Sequence, residues 1–541
     1  MSSKAARPVR LSGELRAAQN PLAVTRAAAR EQADLGVRAR RRFWLAFLWA
    51  LLAACKSSGP ASEPGVLSLL LTRDALDVDP RFVSDPYGMK LSRLLFASLL
   101  RIDPQTLDVV PDLAEHVQPV SDLEYRVQLR SGLMFSDGSP LDASDVVATY
   151  RSMRDPALKA RYASTYARLA QVEALDPTHI VFRLDKPNAS FLTDLELPIL
   201  RAEDAAQRIP FRSEPGPVGA GPYLLAKRRA GLIELAPNPH WYAGAPRVPR
   251  VRMLVVRDDN TRALRLLAGA GDLALNAIPP GLIPLFSPQA GFAVDSAAGI
   301  STTYLGINTV SPKLKDVRVR RALAYAIDRA ALIRAKFKGR AEPARSLIPN
   351  GHWAYDPNTP DYAYRPEQAR RLLAEARPAG AKPLELRLRC GSERGRVSIS
   401  RALAAMLAEV GISVSVQPTE AATLIADLDR GRFELTLLQM PEVIEPNVLS
   451  WFFASDRVPG AGRQGGNRWR FASAQLDAAF ERGLRNLDRT QRRAAYSEAQ
   501  RIMAEQLPVV PLWHEDVVAV RAEAAPALAV GRDGRFTTLA R

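Results

Sequence analysis

The chain offers little that could make or break a covalent bond. Its five histidines, at 116, 179, 240, 352 and 514, stand alone, and none has the spacing of a metal-binding pair. The patterns G-x-S-x-G, H-E-x-x-H, G-x-x-x-x-G-K-[ST] and C-x-x-C do not occur. A secreted hydrolase is therefore disfavoured, and neither a metal nor a cofactor is expected. Gly219-Ala220-Gly221 could suggest a phosphate cradle, but no helix follows it; residues 223–225 and 232–235 read as two strands of a hairpin. His514-Glu515-Asp516 follows a strand and reads as a solvated cluster. Of the two cysteines, Cys390 shares a strand face with Leu384, Leu386 and Leu388, so its thiol is expected to act as a small buried apolar group. What remains is noncovalent. Arg463 and Arg468, in the glycine-rich GRQGGNRW, could meet a ligand carboxylate, although a solvated loop is the plainer reading.

The elements that would position such groups are legible as alternating α and β. Residues 66–71 form a first strand. Leu91, Leu94, Leu95, Ser98 and Leu99 make one face of a helix. Tyr125, Val127 and Leu129 alternate as a half-buried strand, Ser131-Gly132 and Asp137-Gly138 are turns, and Asp142 with Asp145 opens a helix. Later come strand, helix and strand over 250–275, a helix capped by Asp316, and a βαβ unit over 384–416. Helix 491–506 leads into a short strand at 507–512.

Formal charge is +17, of which residues 1–54 carry +7. Arginine is spread along the chain without an aromatic-interleaved stripe, so nucleic acid is not an expected partner. At the N-terminus, Arg38, Arg40, Arg41 and Arg42 precede an apolar run, 43–54, too short for a membrane span, which needs about 20 residues, and fitting a secretory signal. Leu52-Ala53-Ala54-Cys55 resembles a bacterial lipobox, which implies cleavage before Cys55 and lipidation of its thiol. Residues 1–36 are an Ala/Arg-rich lead, and initiation is expected near Val37. Residues 56–65 (KSSGPASEPG) read as a flexible tether.

Four segments share a family wording. YRVQLRSGLMFSDGSPLDASDVVATY (125–150), the Asp-Pro and D-P-x-T run after Asp77, GPVGAGPY (216–223) and DVRVRRALAYAIDRAALI (316–333) closely resemble blocks of the family 5 extracellular solute-binding proteins, the peptide/nickel-type receptors of ABC importers. The resemblance implies an α/β, two-lobe periplasmic-binding-protein type II fold with an additional third domain. By analogy, residues 1–54 are the N-terminal extension and lipoprotein signal peptide, and 55–64 the tether. Residues 65–103, 215–312 and 506–541 form a discontinuous lobe I, 104–214 the additional domain, and 313–505 lobe II.

It also implies a function: a lipid-anchored, monomeric receptor on the periplasmic side of the envelope. The receptor would capture an oligopeptide or similar solute and deliver it to an inner-membrane ABC permease. The alternatives are another solute (an oligosaccharide, an opine, a metal chelate) or a sensor that presents its ligand to a membrane kinase or chemoreceptor. The segment LLQMPEVIEP (437–446) lies where peptide-binding relatives carry an acidic residue three positions before Glu/Asp-Pro, which makes Glu442 the candidate partner for a peptide ammonium. Gln439, Met440 and Val443 flank it in the same cleft loop. Ser84, Asp85 and Tyr87 match the loop whose backbone lines the cleft, and Trp451 could wall a pocket. Relatives favour Asp at the Glu442 position with aromatic neighbours, and this chain departs from both. None of residues 125–150 is assigned to the ligand.

Overall fold

Val66–Leu71 is apolar at five of its six positions and buried along almost its whole length, as a central strand of a covered sheet must be. In the computed structural model, which describes residues 65–212, 214–378, 380–440, 442–460 and 465–541, it runs parallel to both Arg250–Val255 and Leu273–Leu275. Around it a seven-stranded sheet is ordered Phe292–Ala297, Val517–Ala522, Leu273–Leu275, Val66–Leu71, Arg250–Val255, Leu232–Pro237, Tyr223–Arg229. The expected signal peptide, Cys55, residues 56–64 of the expected tether and Arg463 lie outside the described residues.

A second, six-stranded sheet grows from the βαβ unit. Leu384–Gly391 alternates buried and exposed residues, and the helix Arg394–Ala408 returns the chain to Ile412–Thr419, parallel to it. The order is Ala341–Pro343, Val509–Glu515, Thr302–Ile307, Leu435–Met440, Leu384–Gly391, Ile412–Thr419. Cys390 is fully buried in this core beside Leu386 and Leu388.

A third unit packs the helix Ala143–Arg154 on an antiparallel sheet of Ala114–Pro119, Glu124–Leu129, His179–Leu184 and Leu169–Ala174. Asp142 and Asp145 form the capping box: Ser144 N–H donates to Asp142 and Asp142 N–H to Asp145, at 2.7 and 3.0 Å. Tyr125, Tyr150, Phe182 and Phe191 make an aromatic core, with ring centroids 4.8 to 5.5 Å apart.

The chain crosses between the two large sheets twice, between Ala297 and Thr302 and again at Asp516. This shifts the expected boundaries. Residues 302–307 and 509–515 were expected in lobe I, yet both pair inside the second sheet, where Thr302–Ile307 is buried throughout. A buried strand looks the same in sequence whichever sheet receives it.

At the crossing a Cβ on Gly299 would stand 2.1 Å from the Glu515 carbonyl oxygen, so only glycine lets the two strands approach. Gly299→Val is expected to lower stability by about 1–3 kcal/mol, the usual range for overpacking, in denaturant unfolding. An unchanged midpoint would show that the crossing has slack.

The helix Pro86–Leu95 is shorter than its apolar stripe suggests. Phe96 turns extended and Gly221 N–H donates to Leu95 O at 3.0 Å, so Ser98 and Leu99 fall beyond the helix. A Cβ on Gly219 would lie 2.2 Å from Leu95 O and one on Gly221 2.6 Å from Leu94 O. The Gly-x-Gly is thus a close-packing seat for a helix end.

Candidate functional site

Four separate stretches of chain meet where the second sheet faces the first. They are the helix Pro86–Leu95, residues 194–196 of the third unit, residues 533–536 near the C-terminus, and the loop after Leu435–Met440. Their centre is Arg535, whose side chain is 3% exposed. It donates through Nε and Nη2 to Glu442 at 3.0 and 2.8 Å, and through Nη1 to Glu196. Asp533 Oδ2 lies 3.5 Å from Arg535 Nε without a hydrogen bond, while Asp533 Oδ1 accepts Arg535 N–H at 3.0 Å. Glu196 also accepts from Arg93 at 3.4 Å.

The charges depend on one another. Burial works against the Arg535 cation, yet Glu196, Glu442 and Asp533 hold its pKa above the ordinary value. Burial likewise opposes the Glu196 carboxylate, and Arg535 and Arg93 pull it back below its usual range. Asp533 goes the other way: burial raises its pKa more than Arg535 can lower it. Lys90 sits over the rings of Phe536 and Tyr87, at 5.0 and 5.8 Å, and burial depresses its pKa.

Further contacts shut the same cleft. Ile444 packs on Ile102, Leu107 and Ile300. Arg489 reaches Asp108 at 3.3 Å, Ala189 N–H donates to Leu484 O at 2.8 Å, and Arg532 donates to Asn350 O at 2.8 Å. Among the described residues, two cavities of about 240 and 230 Å³ lie beside this cluster, between the first sheet's unit and the third unit; Arg93 and Glu196 wall both, and no residue of 302–515 lines either. The first is bounded by Arg101, Ser98 and Arg541, the second by Ser92, Tyr162 and Asp194.

The structure sorts the expected site residues. Glu442 is at the centre, with Arg535 as its partner. Gln439 is partly exposed and accepts from Arg396 at 3.1 Å, beside Thr303, which donates to Glu515 at 2.7 Å. Met440 and Val443 point the other way, buried at 2% and 0% in the core with Tyr304 and Trp469, so the expectation of cleft contacts is corrected. Strand alternation carries Met440 to the face opposite Gln439.

Two of the three loop residues, Asp85 and Tyr87, have structural roles. Asp85 caps the helix through Gly88 N–H at 2.7 Å and also accepts Leu76 N–H at 3.1 Å. Ser84 is exposed. Tyr87 is buried, bonded to Thr72 through its hydroxyl and stacked on Phe536. Trp451 is half-buried under Arg457, 5.4 Å from the ring, and lines neither cavity. Arg468 is engaged by Asp429 at 2.8 Å.

His514 and Glu515 are not a solvated cluster. They end a strand of the second sheet, and His514 is buried against Thr302 Oγ1 at 2.9 Å. His352 is also buried; its Nε2–H donates to Ile444 O at 2.9 Å and its Nδ1 accepts Ala354 N–H at 3.1 Å, which fixes the loop bearing Glu442. Among the described residues no group of three or more His, Cys, Asp or Glu is placed to hold a metal ion. Arg535, Glu196, Lys90 and Asp194 escaped the sequence reading. Arg535 stands 93 residues from Glu442 and 339 from Glu196, with no local pattern to join them.

Comparison with known proteins points one way. Residues 108–457 match the family "Bacterial extracellular solute-binding proteins, family 5 Middle". Di/tripeptide-binding protein 2 of Pseudomonas aeruginosa is 29% identical over 505 residues, covering 88% of this chain and 94% of that protein. NikZ of Campylobacter jejuni, solved with Ni(L-His), superposes with a TM-score of 0.77 at 22% identity, over 88% of this chain and 98% of that one. The oligopeptide-binding protein AppA of Bacillus subtilis, solved with a nonapeptide, gives 0.74 at 21% identity, over 88% and 98%.

Proposed function

The chain belongs to the bacterial extracellular solute-binding proteins of family 5, and on that premise we propose that it captures a di- or tripeptide or similar small solute between its two sheet-centred lobes and passes it to an ABC permease. The observation that carries this reading is the Glu442–Arg535 pair, which spans the cleft between the second sheet and the C-terminal segment of the first lobe; Glu196, bonded to the same Arg535, also walls two cavities between the first lobe and the additional domain. Cavities of this size suit a ligand smaller than the ~300–1,000 Å³ sites of drug-sized molecules. The lobes are taken as 65–103, 215–297 and 517–541 for the first, and 302–515 for the second, with 104–214 as the additional domain. A lipid on Cys55 would anchor the receptor at the membrane surface, with residues 56–65 as its tether.

In this reading Glu442 holds the closed state by engaging Arg535. Glu442→Gln is expected to weaken di- and tripeptide binding by about 1.5–3 kcal/mol, the worth of one charged hydrogen bond, in titration calorimetry. Unchanged affinity would remove Glu442 from the binding mechanism.

A further inference from the structure

We propose that Asp194, on the wall of the second cavity, receives the cationic group of the bound solute, so that the additional domain selects the ligand directly. This rests on the peptide reading above and assigns the ammonium partner within it. Glu442, the acidic residue expected for that role, already has both of its closest donors from Arg535. Glu196 is likewise taken, by Arg535 and Arg93. Asp194 is different. It ends the short helix Phe191–Asp194, and its carboxylate accepts one neutral donor, Asn188 Nδ2, at 3.0 Å. Among the described residues no lysine, arginine or histidine lies within ion-pair distance of it. The neighbouring carboxylate of Glu445 has Arg492 at 2.5 Å.

The cavity around Asp194 is furnished for a donor-rich group. Ser92 lines it, is 3% exposed, and its Oγ has no hydrogen-bond partner. Tyr162 and Tyr166 spend their hydroxyl protons on Val83 O and Asp194 O, at 2.9 Å each, and so brace the walls. Thr165 and Thr193 add to the polar lining, which also includes Arg93, paired with Glu196 at 3.4 Å. An ammonium has three donors and no acceptor, and a lone carboxylate with unspent hydroxyl oxygens is its complement. Burial, with Glu445 nearby, holds the Asp194 pKa well above its usual range. A cation there would return the carboxylate to its charged form.

Calorimetry with Ala-Ala-Ala and N-acetyl-Ala-Ala-Ala tests the assignment. Wild type is expected to bind the free-amino peptide at least tenfold tighter. Asp194→Asn, which removes the acid and leaves the volume, is expected to keep the melting temperature and lose at least tenfold for the free-amino peptide only. Ser92→Ala should lose a few-fold in the same selective way. Glu442→Gln should weaken both peptides alike. Free-amino preference retained in Asp194→Asn would overturn the proposal. Binding of neither peptide by wild type would overturn the peptide reading instead, and the proposal with it.

Discussion

Replacing Arg535 with methionine is expected to cost about 3–5 kcal/mol of stability, because the substitution leaves buried carboxylates without their cation. Arg535 is 3% exposed, and Glu196, Glu442 and Asp533 all depend on it. Methionine fills much of the volume, so the loss is electrostatic and not a cavity. Glu442, 27% exposed, can turn to water, whereas Glu196 at 14% keeps only Arg93 at 3.4 Å. Urea unfolding of Arg535→Met measures the loss. Adding Glu196→Gln to Arg535→Met should restore part of it, since the stranded charge is then gone. A stability loss below about 1 kcal/mol, in the range of an exposed pair, would mean that the network is solvated and does not hold the lobes.

Acid is expected to unfold the protein through two histidines. Burial lowers the pKa of His352 and of His514 from 6.5 to about 4, with nearby arginines adding to it: Arg532, Arg489 and Arg492 for His352, and Arg532 for His514. Above pH 6.5 both states carry neutral imidazole, and the contribution is fully present. Between 6.5 and about 4 the unfolded chain takes up a proton that the folded chain refuses, so stability falls with pH by about 1.4 kcal/mol per unit per histidine, or about 3 kcal/mol each. In His352 the added proton must displace Ala354 N–H from Nδ1. Asp194, Asp533 and Glu445, whose folded pKa values burial raises, act oppositely as the pH falls toward the carboxylate range. A variant separates the two effects. The stability gap between wild type and His514→Gln should narrow by about 3 kcal/mol from pH 7 to pH 4, and a constant gap would refute the assignment.

Local structure was legible wherever one short stretch carried its own reason. The alternation of Tyr125, Val127 and Leu129 became the strand Glu124–Leu129, and Asp142 and Asp316 cap the helices expected of them. The family wording gave the two lobes and the third domain. What could not be read is the meeting of distant segments. Strands Thr302–Ile307 and Val509–Glu515 carry no mark of which sheet they join. Val443 next to Glu442, like Met440 beside Gln439, is as apolar in sequence as a pocket wall would be, yet it belongs to the core. Arg535 lies in Arg532-Asp533-Gly534-Arg535, which reads as an ordinary polar turn until Glu196 and Glu442 arrive across the cleft. Residues 125–150 identify the family but line neither cavity; selection rests with residues such as Asp194, outside that block.

The two lobes are expected to close on a bound peptide. The most direct test titrates the purified protein, freed of co-purified solute by unfolding and refolding, with defined di- and tripeptides. Heat and small-angle scattering are followed together. The expected result is saturable one-to-one binding of at least one free-amino peptide, with a smaller radius of gyration when bound. No binding across the set, or binding with no change in radius, would contradict a cleft-closing peptide receptor.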